Sequence, residues 1–149
     1  FSGGDTWMVD RSLVLRKVAD LELCKTQMGE YAGVTLEQYR ADWKTQRIVE
    51  RTLQMMIELC SDIASHIISD NRYRTPQSVA DAFRVLHENG ILDAELLDLL
   101  IKMAKFRNIV VHQYERVDAE IVILILRRHL DDFMKFRDAV VRSIRSGGM

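Results

Sequence analysis

Val14, Val18, Leu21, Cys24 and Met28 fall at spacings of 4, 3, 3 and 4, the pitch of an α-helix that buries one side. Nothing constrains the fold of this chain more, because the same pitch returns along most of its length. Ile48, Met55, Leu59, Ile63 and Ile67 make a second stripe, and Leu96, Leu97, Leu100 and Met103 a third. Val122, Leu126, His129, Phe133, Phe136 and Val140 make the last. No segment alternates with the period of a strand. One proline and seven glycines in 149 residues are too few turn formers for an all-β chain. The expected fold class is all-α, a helical bundle of about five helices joined by short connections.

Capping residues mark where these helices begin and end. Asp10 is placed to cap the first. Thr35 and Gln38, three apart, form a capping box that is expected to open one long helix through the second stripe. SDNRYRTPQS, residues 69–78, holds the proline and reads as a loop. Ser78 caps a short helix through Phe83, Val85 and Leu86, which ends at Gly90. Asp93 and Asp118 cap the next helix and the last, and Gly147 and Gly148 end the last. Residues 1–9 are expected to be an N-terminal extension, with Met8 a natural start, and residues 10–149 a single domain.

With 48% hydrophobic and 29% charged residues the chain is an ordinary folded protein and not a disordered one. Its net charge of −1 argues against coating nucleic acid by bulk charge, but not against a local basic patch. The charges divide unevenly. Residues 1–101 carry 11 Lys/Arg and 16 Asp/Glu, a net of −5, and residues 102–149 carry 10 and 6, a net of +4. Cys24 and Cys60 sit within helical apolar patterns and read as buried reduced thiols. No Cys/His cluster has metal-ligand spacing, and no cofactor is implied. The longest apolar run, IVILIL at 121–126, is far too short to cross a bilayer, and the start lacks the apolar core of a signal peptide. A cytoplasmic protein away from membranes is the expectation.

One stretch stands apart: FRNIVVHQY, residues 106–114. Arg107 and Asn108 precede three β-branched residues, and His112 and Tyr114 follow them. On a continuous helix Arg107 and Tyr114, seven apart, lie nearly in line, and Asn108 and His112, four apart, share a neighbouring face. All four then occupy a sector of roughly 160°. A structural account serves as well: Arg107 in a helix-end ion pair, His112 at the negative end of a helix dipole, Tyr114 half-buried. The chemical account is cleavage of RNA. Cleavage without a metal needs a base for the 2′-hydroxyl proton, an acid for the leaving oxygen and a cation on the phosphoryl oxygens. His suits the first two tasks and Arg the third. One copy of the motif supplies one such His, so the mechanism leads to a site shared across a symmetric dimer.

R107-N-I-V-V-H112-Q-Y114 resembles the Arg-x4-His-x-Tyr signature of HepT-like toxins, a branch of the HEPN superfamily. ERTLQMMIELCSDIASHII, 50–68, is similar to the long second helix of that family, and YRTPQSVADAFRVLHENGIL, 73–92, to its loop and third helix. With the last helix the similarity spans most of residues 10–145. The resemblance implies a HEPN-like homodimer, the toxin of a type VII-like toxin–antitoxin system, acting as a metal-independent endoribonuclease on RNA. It maps Arg107 and His112 onto the catalytic pair and Asn108 onto the polar position beside that Arg. It maps Tyr114 onto the tyrosine that a nucleotidyltransferase antitoxin of the MntA type modifies with AMP. The alternative is a non-catalytic HEPN module that binds nucleotide or partners a nucleotidyltransferase.

Lys102, Lys105 and Arg116 flank the motif and are candidate RNA contacts, or else a solvated face. Arg51 is a candidate for the cleft wall that no spacing demands. Asp62 and His66, four apart, face each other on one helix, as an oriented His or a simple helix pair. His129 on the last apolar stripe reads as a core or interface histidine, and His87, before Gly90, as structural. Arg137, Arg142 and Arg145 give the last helix a basic end, for RNA, antitoxin or solvent.

Overall fold

The computed structural model of the protein describes residues 3–146, with side chains from Arg11 onward. Gly147 and Gly148, expected to end the last helix, lie outside the described residues. The elements in order are α1 (Gly3–Met28), α2 (Leu36–Ala41), α3 (Trp43–Asp70), α4 (Val79–Glu88), α5 (Ala94–His112), α6 (Ala119–Leu124) and α7 (Leu130–Ser146). A 3₁₀ turn at Gly29–Tyr31 follows α1, another at Tyr114–Arg116 follows α5, and a π-helical turn at Ile125–His129 joins α6 to α7. No strand occurs among the described residues. The all-α expectation holds.

The first stripe is the buried side of α1: Val14, Val18, Leu21, Cys24 and Met28 are all in the core. The helix itself starts earlier than expected. Its backbone is helical from Gly3, so Asp10 lies inside α1 and does not cap it. Thr35 and Gln38 form the reciprocal capping box, yet what it opens is the six-residue α2. Asp42 then leaves the helical region at φ −125° and ψ 102°, and its carboxylate accepts from the Lys44 amide to start α3 afresh. The long helix expected from Thr35 is therefore two. Short polar side chains compete in this way for backbone donors, and so break helices as readily as they cap them.

The second stripe is also corrected. Ile63 and Ile67 are buried, but Ile48 and Met55 are exposed, and the core side of α3 is Val49, Leu53, Met56, Ile57 and Cys60. Ser78, Asp93 and Asp118 cap α4, α5 and α6 through side-chain bonds to backbone amides. Gly90 ends α4 at φ +79°, as its position after the helix predicts. α3 is the central strut. It packs against α1, α4, α5 and α7. Phe83 of α4 meets Phe136 of α7 edge to face at 5.9 Å, both fully buried, the geometry aromatic quadrupoles favour. Cys24 and Cys60 are buried free thiols, and burial pushes both thiols up from their ordinary range. They are filling, as expected.

Candidate active site

Helix α5 positions the motif. Asp93 starts it by accepting from the Leu96 amide at 2.7 Å, and Phe106, fully seated in the core, fixes its rotation just before the motif begins. Ile109, Val110 and Val111 are mediocre helix formers. The helix ends at His112, and Gln113 turns out of the helical region at φ −144° and ψ 50°. Tyr114 thus begins a 3₁₀ turn, not a further turn of α5. Its alignment with Arg107 on one continuous helix does not hold. The three β-branched residues divide: Val110 packs on the core, whereas Ile109 and Val111 are exposed.

Arg107 turns toward α3. Its Nε and Nη2 donate to the same oxygen of Glu58, at 3.0 and 2.8 Å, and its Nη1 donates to Asn108 at 3.1 Å. The guanidinium has five N–H groups, so two remain, one on each terminal nitrogen, and both can donate to phosphate oxygens. Glu58 also accepts from Gln54 at 3.2 Å. Burial raises the Glu58 carboxyl, but the bonds from Arg107 and Gln54, with the charges of Arg107 and Arg51, outweigh it and hold the group below the ordinary range. Since the folded value lies below the unfolded one, this contribution to stability is complete above the unfolded value and is lost as pH falls through the folded one. Thermal denaturation of the protein and of Glu58→Gln should therefore differ most near neutral pH and converge in acid. A gap that widens on acidification contradicts the assignment.

His112 is exposed, with no hydrogen-bond partner among the described residues. At about 100° per residue it sits roughly 140° round the helix from Arg107, with Asn108 between them. Its side of α5 is the side of Lys105 and Ile109. There an apolar groove of about 320 Å³ runs between α5 and α6, walled by Met103, Phe106, Ile121, Leu124 and Ile125. Lys102 and Lys105 stand on the rim of this groove, and Lys102 also pairs with Asp98 at 3.0 Å. His129 lines it too, its Nδ1 donating to the buried Asp132 at 2.7 Å.

Tyr114, 66% exposed, lines a separate hollow of about 350 Å³ with Val110 and, from α3, Arg47, Glu50, Arg51 and Gln54. Gln54 links the two halves of the site, bonded to Glu58 and bordering the hollow. The structure thus joins Arg107 to Asn108 by a bond and Tyr114 to Arg51 by a shared wall. It leaves His112 on the groove side and Arg116 exposed in the 3₁₀ turn. Of the remaining candidates, Asp62 pairs with Lys17 at 3.6 Å, and His87 donates to the Leu92 carbonyl at 2.8 Å. Arg137 pairs with Glu22 and Asp138, and Arg142 and Arg145 line a hollow against α1. Glu58 was not among the sequence candidates. It lies 49 positions from Arg107, and only the crossing of α3 and α5 brings them together. Among the described residues no group of three or more His, Cys, Asp or Glu is arranged to hold a metal ion, and no helix is long and apolar enough to cross a membrane.

The model of the HepT-like ribonucleases matches residues 21–140, which include α2 to α6 and the whole motif. The chain belongs to this family. The mRNA nuclease HepT of Shewanella oneidensis is 34% identical to it over 128 residues, 86% of this chain and 96% of the relative. The tRNA nuclease HepT of Aphanizomenon flos-aquae is 27% identical over 119 residues, 80% and 78% of the two chains. The tri-AMPylated HEPN toxin of Shewanella oneidensis, solved in complex with an MNT antitoxin, superposes on this HepT-like chain with a TM-score of 0.80. The identity is 32%, over 87% of this chain and 96% of that one.

Proposed function

We propose that the protein is the toxin of a toxin–antitoxin pair, an endoribonuclease that needs no metal ion. In this mechanism the 2′-oxygen of a ribose attacks the adjacent phosphorus and the bond to the 5′-oxygen breaks. One His112 takes the 2′ proton, a second gives a proton to the leaving 5′-oxygen, and Arg107 holds the phosphoryl oxygens through its two free N–H groups. Asn108 and Glu58 keep those groups aimed. The observation that carries the proposal is the pairing of a half-free Arg107 with an unpartnered His112 at one end of α5, in a HepT-like chain. Two histidines require two copies. The groove beside His112 is the seat we assign to the second copy, because Ile109, Ile121 and Leu124 leave 36, 45 and 45% of their surface exposed there, next to the residue that must be shared.

Control of the enzyme falls to Tyr114. Its hydroxyl attacks the α-phosphorus of ATP within an MntA-like nucleotidyltransferase antitoxin, pyrophosphate leaves and AMP remains on the oxygen. Bulk and negative charge then stand in the hollow with Arg47 and Arg51, where RNA phosphates would bind. Two assays test the whole. The purified protein should cleave RNA with chelator present, and cleavage that requires a divalent ion removes the mechanism. An uncut RNA leaves the non-catalytic HEPN module instead. With the cognate antitoxin and ATP, the protein should gain the mass of one or more AMP groups and lose cleavage, and Tyr114→Phe should do neither.

A further inference from the structure

Trp43 is the first residue of α3 and one of the most exposed large apolar side chains described, at 61%. It is not bare. The Lys44 ammonium lies 5.8 Å and the Arg47 guanidinium 5.6 Å from the ring centroid, a distance at which the ring quadrupole attracts cations. Around α3, at about 100° per residue, Trp43, Arg47, Arg51, Gln54 and Glu58 fall within roughly 80° of one another. They form one ridge. It starts at an aromatic platform, passes two guanidiniums, enters the hollow shared with Tyr114, and ends about 22 Å on at Glu58, which holds Arg107.

The cations on this ridge differ from others in the protein. Arg74, Arg107 and Arg137 each close onto carboxylates at 2.8 Å. Arg47 rests over an aromatic ring, and Arg51 acts on Glu58 only through space. Among the described residues that line the hollow, the one acid, Glu50, accepts the Tyr39 hydroxyl at 2.6 Å and is held to that side. A flat exposed ring flanked by cations, followed by guanidiniums at helical intervals, matches what an unpaired strand offers: an open base face and a line of phosphates. A duplex keeps its bases stacked and has no face for Trp43.

We propose that this ridge is a track for single-stranded RNA, with a base stacked on Trp43 and phosphates on Arg47 and Arg51, delivering the strand to Arg107. The proposal rests on the ribonuclease mechanism above and adds a substrate class, RNA unpaired beyond the scissile bond. It also makes Arg47, Arg51 and Trp43 binding residues for a part of the RNA that does not react.

Binding and cleavage are measured apart. In a His112→Ala background, with Trp7→Phe leaving Trp43 as the one tryptophan, an unstructured oligoribonucleotide should quench the fluorescence. Its affinity, read from the fluorescence anisotropy of the labelled oligoribonucleotide, should fall about tenfold in Trp43→Ala. Arg47→Ala and Arg51→Ala should each shallow the salt dependence of binding by about 0.7 in log–log slope, the change expected for one lost phosphate contact to a single strand. In the active protein, all three substitutions should raise KM for the long RNA more than for a dinucleotide. Arg84→Ala, which removes a cation elsewhere, serves as the charge control. Unchanged affinity and salt slope overturn the track even if the protein cleaves RNA, whereas binding with these signatures and no cleavage overturns the ribonuclease and keeps the track. Loss of antitoxin binding with RNA binding intact assigns the ridge to the antitoxin and overturns the proposal.

Discussion

His112→Ala should lower RNA cleavage by about 10² to 10⁴-fold, the range for removing a general acid–base group, with no change in circular dichroism or melting temperature. The second half of that expectation follows from the structure. His112 ends its helix, exposed and without a partner, so its removal leaves no buried group unsatisfied. Arg107→Ala should lose as much activity but differ in stability, because it strips two hydrogen bonds from the half-buried Glu58 and leaves it Gln54 alone. Arg107→Lys separates charge from shape: a point charge keeps the attraction to Glu58 and loses the fork, so activity should stay low while stability recovers. If both alanine variants cleave RNA at the parental rate, the site is elsewhere.

Leu124→Asp should convert a dimer to a monomer in light scattering and remove cleavage with it. An exposed leucine at the mouth of an apolar groove has little work to do in the monomer, so a carboxylate there costs the isolated fold little. In a symmetric contact the same carboxylate enters the interface twice and is desolvated both times, which costs several kcal/mol per ion. Mixing an excess of Arg107→Ala,His112→Ala chains with the parent provides the independent check, since sites built from two copies are lost faster than parent chains are diluted. A monomeric parent, or a Leu124→Asp variant that stays dimeric and active, removes the groove from the assembly.

What could be read before the structure, and what could not, follows from the range of the interactions concerned. The stripe on α1 and the caps at Thr35, Ser78, Asp93 and Asp118 involve residues within four positions of each other, and the structure places each where local spacing puts it. Spacing misplaces the stripe on α3 because that helix carries apolar residues on more than one side. Period alone cannot tell whether Ile48 and Met55, or Val49, Leu53 and Met56, face the core. The break at Asp42 leaves no mark in the spacing because its carboxylate bonds Lys44 and Thr45 in place of continuing the helix, a choice between two local solutions that neighbours decide.

Residue type and short spacing alone specify an all-helical chain, the caps at Thr35, Ser78, Asp93 and Asp118, and the order Arg107, Asn108, His112, Tyr114. What those four residues face depends on packing between distant segments. The crossing of α3 and α5 sets Glu58 on Arg107 across 49 positions and brings Arg47 and Arg51 to Tyr114. The early end of α5 takes Tyr114 out of line with Arg107 and into the hollow with Arg47 and Arg51. Orientation of that kind is fixed by which side of a helix is buried against which neighbour, and packing between distant segments leaves no periodic trace in either segment alone.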